Sequence, residues 1–194
     1  MQELIKQSFT ESIHTKIAAL DVLAPIVEKA AETMLQALLA EKKILTCGDG
    51  LAHATAGILA NALNYKLEHE RPSLPAYALV ADAMATSLLS DDNQAYQQFA
   101  GQLRAIAQSG DVLVVVSNNL NSPVCLRAIE AALSKDMLVI ALTGADGGEI
   151  AGLLGPNDVE IRVPSDSPVR TNEVHQLVVH SIVDAIEKTL FPGM

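Results

Sequence analysis

Five short, mostly apolar runs alternate with stretches of helical periodicity, and this alternation limits what the chain can fold into more than any other feature. The runs are KILTC at 43–47, AYALVA at 76–81, VLVVVS at 112–117, LVIALT at 138–143 and VEIRV at 159–163. Four of them are nearly continuous in apolar character, as in strands that a parallel sheet buries on both faces. The helical stretches cover 51–67, 93–107, 123–133 and 171–190. The alternation predicts an α/β fold with a doubly wound parallel sheet.

Two amphipathic helices are predicted ahead of the first strand, over residues 2–20 and 22–40. Apolar residues recur there at steps of three and four, the spacing of one helix face. They are Leu4, Ile5, Phe9, Ile13 and Ile17, then Val27, Ala30, Met34 and Leu38. No repeat or long linker divides the chain, and a chain of this length buries roughly 70% of the surface that its unfolded form exposes. We therefore expect one domain over 1–194, with 1–40 as a helical extension.

The acidic composition restricts the classes of partner. The formal net charge is −10 and the sequence pI is about 4.8. Neutralising phosphates needs clustered Lys and Arg, so direct binding to nucleic acid or an anionic membrane is disfavoured and a basic or neutral partner is favoured. No run of 18 apolar residues and no basic-then-apolar leader occurs, so we expect a cytoplasmic protein. Cys47 and Cys125 have no CxxC or His-rich context, which favours two buried thiols over a zinc or redox site.

The first candidate site is the loop after the first predicted strand, CGDGLAH at 47–53. Gly48 and Gly50 permit a tight turn and a close backbone approach, and the following helix offers N–H groups to an anion. Asp49 places a carboxylate inside this loop, and no Lys or Arg lies between Lys43 and Lys66 to offset it. Two interpretations are open here, a phosphate-binding loop and a tight turn without a ligand.

The second candidate site is SNNLNSPV at 117–124, directly after the third predicted strand. Ser117, Asn121 and Ser122 carry hydroxyl and amide groups that can donate hydrogen bonds to phosphate or to sugar hydroxyls. Ser122 followed by Pro123 is also the usual sequence of a helix N-cap and first helical residue. The alternative interpretation is therefore that Ser122 only caps its helix.

Five segments carry a family resemblance that spans essentially the whole chain in order. They are KILTCGDG, ERPSLPAYAL, GDVLVVVSNNLNS, ALTGADGGEIAGLLGPNDVEIRVPS and RTNEVHQLVVHSIVDAIEKTLFP. Together they resemble the sugar isomerase (SIS) domain family, and within it the phosphoheptose isomerase branch and its relatives that associate with the DnaA replication initiator. The resemblance implies a flavodoxin-like three-layer fold with five parallel strands. It also implies an N-terminal helical pair, at 1–40, that assembles a homotetramer with sites at the subunit interfaces.

The resemblance also identifies where catalytic groups are expected. In the first loop the isomerases read Cys-Gly-Asn-Gly-Gly-Ser, so Leu51 and Ala52 replace a glycine and a serine donor. Their metal-ligating His and general-base Glu, four residues apart on the next helix, correspond to Ile58 and Ala62. Neither residue binds zinc or transfers a proton. The loss of a general base alone removes about two to four powers of ten in rate.

The last helix and the second loop retain part of the family pattern. The family's Gln, His and second His correspond to Asn172, His175 and His180. Asn172 and His180 lie about 80° apart around a helix, so both could face one pocket, but His180 alone does not complete a metal site and is interpreted as a remnant or an interface histidine. In the second loop Asn118, Asn119 and Leu120 replace Thr-Ser-Gly. We interpret His53 as a solvated or capping residue.

These comparisons of residues favour a non-catalytic scaffold that binds a DnaA-type initiator and promotes its assembly at the origin, without a cofactor. The alternatives are a divergent phosphoheptose isomerase with zinc, or a module that binds a sugar phosphate. Leu190 and Phe191 are the candidate partner anchor, and packing against a neighbouring subunit is the other interpretation. Ligand binding, where present, is predicted at Gly48, Asp49, Gly50, Ser117, Asn121, Ser122 and Asn172.

Overall fold

A single five-stranded parallel sheet forms the centre of the molecule. The computed structural model describes residues 1–80, 82–91, 94–119 and 121–193. The strands are β1 (Ile44–Gly48), β2 (Ala76–Ala78), β3 (Val112–Val116), β4 (Leu138–Gly144) and β5 (Val159–Val163). Their order across the sheet is β2-β1-β3-β4-β5, and every neighbouring pair is parallel. This is the doubly wound, flavodoxin-like order, as predicted.

Helices cover both faces of the sheet. They are α1 (Gln2–Leu39), α2 (Ala52–Asn64), α3 (Ala83–Asp91), α4 (Gln98–Ile106), α5 (Pro123–Leu133), α6 (Gly148–Leu153) and α7 (Pro168–Leu190). One buried cluster joins α1, α2 and α7 to one face, and a second joins α4, α5 and α6 to the other. Alternate residues of β3 supply the two clusters, so the strand is buried throughout, as its continuous apolar run predicts. Within the described ranges, no helix combines the length and apolar character of a bilayer span.

The prediction of two N-terminal helices is wrong, because residues 2–39 form one helix. Helix α1 runs for 38 residues and contains Pro25 in its interior. Proline removes one hydrogen bond of the helix ladder and crowds the preceding turn, but α1 continues because the same face is buried on both sides of it. Ala19 and Leu23 before Pro25, and Ala30 and Met34 after it, all belong to the core. The apolar period therefore keeps one phase through the proline.

His175 anchors α7 to the end of β4. Its side chain is fully buried, and Nε2 lies 3.0 Å from the backbone oxygen of Thr143. A neutral imidazole with its proton on Nε2 donates this hydrogen bond. Within the described residues Nδ1 is buried without a partner. Burial lowers the pKa of His175 to about 4, and the opposing effects of the Thr143 hydrogen bond and the Asp49 carboxylate are smaller.

The buried imidazole predicts a loss of stability in mild acid. The pKa of His175 is about 4 in the folded state and about 6.5 when unfolded, so acid protonates the unfolded chain first. Its contribution is complete above about pH 6.5 and falls by about 3 kcal/mol as the pH drops towards 4. Urea unfolding at about pH 7.5 and about pH 5 should give a weaker pH dependence for His175→Gln than for the wild type. His14→Gln, at an exposed site, is the control, and an unchanged pH dependence in His175→Gln would contradict the prediction.

Candidate functional site

The loops after β1 and β3 lie side by side at the carboxyl edge of the sheet. These strands are paired in register from Ile44 with Val112 to Gly48 with Val116. The chain runs from β1 to β2 on one side of β1 and then returns to β3 on its other side. The gap between β1 and β3 is therefore the topological switch point of the sheet. Open parallel sheets bind ligands at this position. The sequence-predicted loops therefore meet where the fold favours a site.

Gly48 and Gly50 shape the turn that leaves β1, each for a different reason. A Cβ atom at Gly48 would lie 2.6 Å from the Val116 carbonyl oxygen and 3.0 Å from the backbone of Ala52. Gly50 has a φ of 45°, in the left-handed region, but the space around it is open. Gly48 is thus required by contact and Gly50 by backbone conformation. Neither requirement involves a ligand.

The Asp49 carboxylate connects the two loops. Its Oδ2 accepts a hydrogen bond from the Ser117 hydroxyl at 2.7 Å, and its Oδ1 accepts one from the Asn118 backbone N–H at 3.2 Å. Ser117 is fully buried and Asp49 is half-buried. None of the ion pairs formed by the described residues includes Asp49. Among the described residues, the polar contacts of this carboxylate are therefore hydrogen bonds.

Asn172 extends this polar cluster to α7 and α2. Its Oδ1 accepts hydrogen bonds from the Thr55 hydroxyl at 3.2 Å and from Asn118 Nδ2 at 3.4 Å. The Asn118 Oδ1 atom is buried and has no partner among the residues described. The structure thus brings Asp49, Ser117 and Asn172 together, as their assignment to one site requires. Sequence reasoning missed Thr55 and treated Asn118 only as a departure from the family pattern. Thr55 lies on the same face of α2 as the buried Ala52 and Leu59, and this spacing was the signal that could have identified it.

Asn121 and Ser122 lie outside this cluster. Asn121 is exposed, and its Oδ1 accepts a hydrogen bond from the Glu149 backbone N–H at 3.1 Å. Ser122 occupies the N-cap position of α5 with extended backbone angles, but in the described chain its hydroxyl accepts no capping hydrogen bond. Ser122 is therefore the N-cap residue of α5 with Pro123 in the first turn, as predicted, although among the described residues it makes no side-chain capping bond. The hydroxyl instead lies near Cys125, where burial raises the pKa of the thiol and the Ser122 hydroxyl opposes that rise in part. Leu120 lies outside the described residues.

Ile58 and Ala62 stand at the positions that the family resemblance assigns to the isomerase metal ligand and general base. Neither side chain can bind a metal or transfer a proton. Ile58 is 37% exposed on α2, and Ala62 is buried. Asn172 lies in the polar cluster, whereas His180 is exposed about 12 Å further along the axis of α7. Among the described residues, no three His, Cys, Asp or Glu side chains are grouped so that they could hold a metal ion. The residues at these positions do not fit a zinc ion.

His53 packs in a way that the sequence did not predict. Its ring stacks on Phe99 with a centroid distance of 5.5 Å and an interplanar angle of 11°. The side chain is half-buried, and in the described structure Nδ1 has no hydrogen-bond partner. The interpretation as a solvated or capping residue is therefore wrong. The aromatic contact with α4 supplies the reason, since a stacked imidazole is removed from water on one face.

The two cysteines are free and buried, as predicted. Burial raises the pKa of the Cys47 thiol well above its usual value and that of Cys125 to about 12. Nearby Asp49 raises both pKa values further. Both side chains are therefore thiols at neutral pH, and the reactive thiolate form is suppressed.

The C-terminal pair packs beside a buried ion pair. Leu190 and Phe191 are half-buried and contact the core cluster of α1, α2 and α7. Phe191 also lines a cavity of about 130 Å³ next to Arg71 and Glu187. Arg71 Nε lies 2.8 Å from Glu187 Oε1, and both side chains are buried. Leu190 and Phe191 are thus partly accessible to a partner and partly packed against the core.

The SIS domain model matches residues 8–144 of the chain. The DnaA initiator-associating protein DiaA of Escherichia coli O1:K1 is 47% identical over 192 residues, which cover 99% of this chain and 98% of that protein. Its similarity therefore extends beyond the matched domain to both termini.

Two solved phosphoheptose isomerases have the same fold over nearly their whole length. The Neisseria gonorrhoeae enzyme has a TM-score of 0.90 at 38% identity, with 96% of this chain and 98% of that chain covered. The Francisella tularensis enzyme has a TM-score of 0.91 at 35% identity, with the same 96% and 98% coverage. The domain match covers most of the chain and the similarity to these relatives covers nearly all of it, so the chain belongs to the SIS domain family.

Proposed function

We propose that this protein is a non-catalytic SIS scaffold that binds a DnaA-type replication initiator and promotes its assembly at the origin. The observation that carries the proposal is the 47% identity to DiaA over 99% of the chain. The apolar Ile58 and Ala62 support the same conclusion, because they stand where the isomerases hold a ligand and a base. The acidic chain, with a net charge of −10, suits a basic protein partner.

The second candidate function is phosphoheptose isomerisation, which the two solved neighbours favour. An aldose–ketose isomerase needs a group that moves a proton between adjacent carbons. The aligned positions contain no such group, and the exposed His180 lies apart from Asn172 along α7. A sugar-phosphate-binding module without turnover is the third candidate, since Ser117, Asp49 and Asn172 still meet at the switch point.

A homotetramer is part of the proposal, and the surface of α1 supports it. Six apolar side chains in its first half are more than half exposed, which is uncommon for a monomer surface. They are Leu4, Ile5, Phe9, Ile13, Ile17 and Leu20. A groove of about 810 Å³ between α1 and α7 continues this surface and is also lined mainly by apolar residues. We propose that further copies of the chain cover this face, so that one tetramer offers several copies of the initiator-binding surface.

The partner surface is proposed at Leu190 and Phe191. Leu190 ends α7 and Phe191 follows it, and the partial exposure of both leaves apolar atoms available to a partner. Aromatic side chains that fill well-packed pockets are frequent energetic centres of interfaces. The adjacent Arg71–Glu187 ion pair fixes the wall against which Phe191 lies.

An activity assay distinguishes the isomerase alternative from the scaffold proposal. Incubation of the protein with sedoheptulose 7-phosphate, with and without added zinc, should yield no aldose phosphate at ordinary enzymatic rates. The reason is the missing base and ligand at Ile58 and Ala62. The Neisseria gonorrhoeae isomerase in the same assay serves as the positive control. Turnover comparable to that enzyme would overturn the non-catalytic proposal.

The assembly proposal predicts the effect of a charge on α1. Light scattering of the wild type should give about 82 kDa, four times the chain mass of 20.5 kDa. Phe9→Lys places an ammonium group on the exposed apolar face and should produce smaller species, because burying an unpaired charge is costly. Gln7→Lys, on the other side of the helix, is the matched control and should leave the mass unchanged. Equal masses for both variants would contradict the role of this face.

The partner proposal predicts separate effects at the C-terminus. Phe191→Ala should weaken binding to a DnaA-type initiator by about tenfold or more, measured by calorimetry, since interface anchors carry most of the binding energy. Its mass in solution should stay that of the wild type. Tyr65→Ala is the control, because it removes an exposed aromatic side chain that lines neither the groove of α1 and α7 nor the cavity beside Phe191. Dissociation of Phe191→Ala into monomers would instead assign the residue to subunit packing.

A further inference from the structure

The donor groups nearest Asp49 at the switch point already donate to acceptors within the chain. The Ser117 hydroxyl lies 2.7 Å from Asp49 Oδ2 and also 2.7 Å from the Asn119 carbonyl oxygen. A hydroxyl has one hydrogen to donate, so these two acceptors use its whole donor capacity. The Asn118 backbone N–H is directed to the other oxygen of Asp49. The carboxylate thus accepts from the two groups that an anion between β1 and β3 would use.

Three further backbone amides around the switch point are committed in the same way. In the second loop, the N–H of Asn121 donates to Asn119 Oδ1 and the N–H of Ser122 donates to the Asn119 carbonyl oxygen. At the start of α2, the N–H of His53 donates to the Asp49 carbonyl oxygen at 3.2 Å. Phosphate sites in such folds depend on free backbone N–H groups that converge on the anion. The Ser117 hydroxyl and these four N–H groups, of Asn118, Asn121, Ser122 and His53, donate within the chain instead.

Charge reinforces this arrangement. Asp49 is half-buried, and no described Lys, Arg or His forms an ion pair with it. A phosphate at the switch point would bring a second negative group close to a carboxylate in a medium of lower dielectric than water, where repulsion is strong. It would also have to displace the carboxylate from Ser117 and Asn118, leaving a charge without hydrogen bonds.

We propose that Asp49 is a built-in anion that occupies the phosphate position of the switch point. The carboxylate holds the loop after β3 in place, as a bound phosphate would do, and excludes phosphorylated ligands from this position. Asp49 is thus a specificity determinant that acts by exclusion. The proposal concerns the ligand site alone and does not depend on whether an initiator protein binds elsewhere.

The proposal is tested with inorganic phosphate as the probe. Thermal melting of the wild type in sodium phosphate and in sodium chloride of equal ionic strength should give the same midpoint. Asp49→Asn should gain a saturable, phosphate-specific stabilisation, and calorimetry should give an affinity at least about tenfold above that of the wild type. A phosphate-specific rise in the wild-type midpoint would overturn the proposal, whatever the variants do.

A matched control separates the position of the charge from its sign. Asp158 accepts backbone hydrogen bonds from Val139 at 2.8 Å and from Gly155 at 2.7 Å, at the opposite edge of the sheet. Asp158→Asn therefore removes a carboxylate with two similar bonds and should gain no phosphate affinity. Asp49→Ser provides a second neutral variant in case Asp49→Asn is poorly folded. Folded Asp49 variants that bind phosphate no better than the wild type, or an equal gain in Asp158→Asn, would also overturn the proposal.

Discussion

The close approach of β1 to β3 at Gly48 is the constraint on which the rest of the site depends. Because a Cβ at this position would lie 2.6 Å from the Val116 carbonyl oxygen, only glycine allows the strands to stay paired to their ends while α2 turns away. The next residue, Asp49, is then carried to within hydrogen-bonding distance of Ser117. The polar cluster is a consequence of this backbone packing, and the same turn would form with or without a ligand.

The parallel sheet could be predicted because burial on both faces leaves a simple signature. All five strands occur near the expected positions, and α5 matches the predicted 123–133. Three differences have local causes. Strand β2 ends at Ala78, since an edge strand needs fewer pairings. Helices α3 and α6 are short and give no clear period. The predicted break at residue 21 does not occur, because the buried face of α1 continues from Ala19 to Leu23 across it.

Some members of the site could be predicted, but their connections could not. Asp49, Ser117 and Asn172 were identified from loop chemistry and family resemblance, yet the sequence does not reveal which donor meets which acceptor. That pairing depends on the register of β1 with β3 and on the rotation of α7. The stacking of His53 on Phe99 depends likewise on α4, more than 40 residues away in sequence. Long-range pairings of this kind leave no periodic pattern in one sequence.

The hydrogen-bonded polar groups of the switch point and the exposed apolar side chains of α1 differ in how much each favours binding. At the switch point, Asp49, Ser117 and Asn118 bond to one another, so a ligand would have to break existing bonds before making its own. On α1 the opposite holds, because Phe9 and its apolar neighbours are exposed. Covering them with a second surface lowers the free energy of the system, since apolar area is removed from water. Association through outer surfaces is therefore favoured over binding in the cleft. A fold that usually holds a small ligand at the sheet edge can serve assembly once that edge is filled from within.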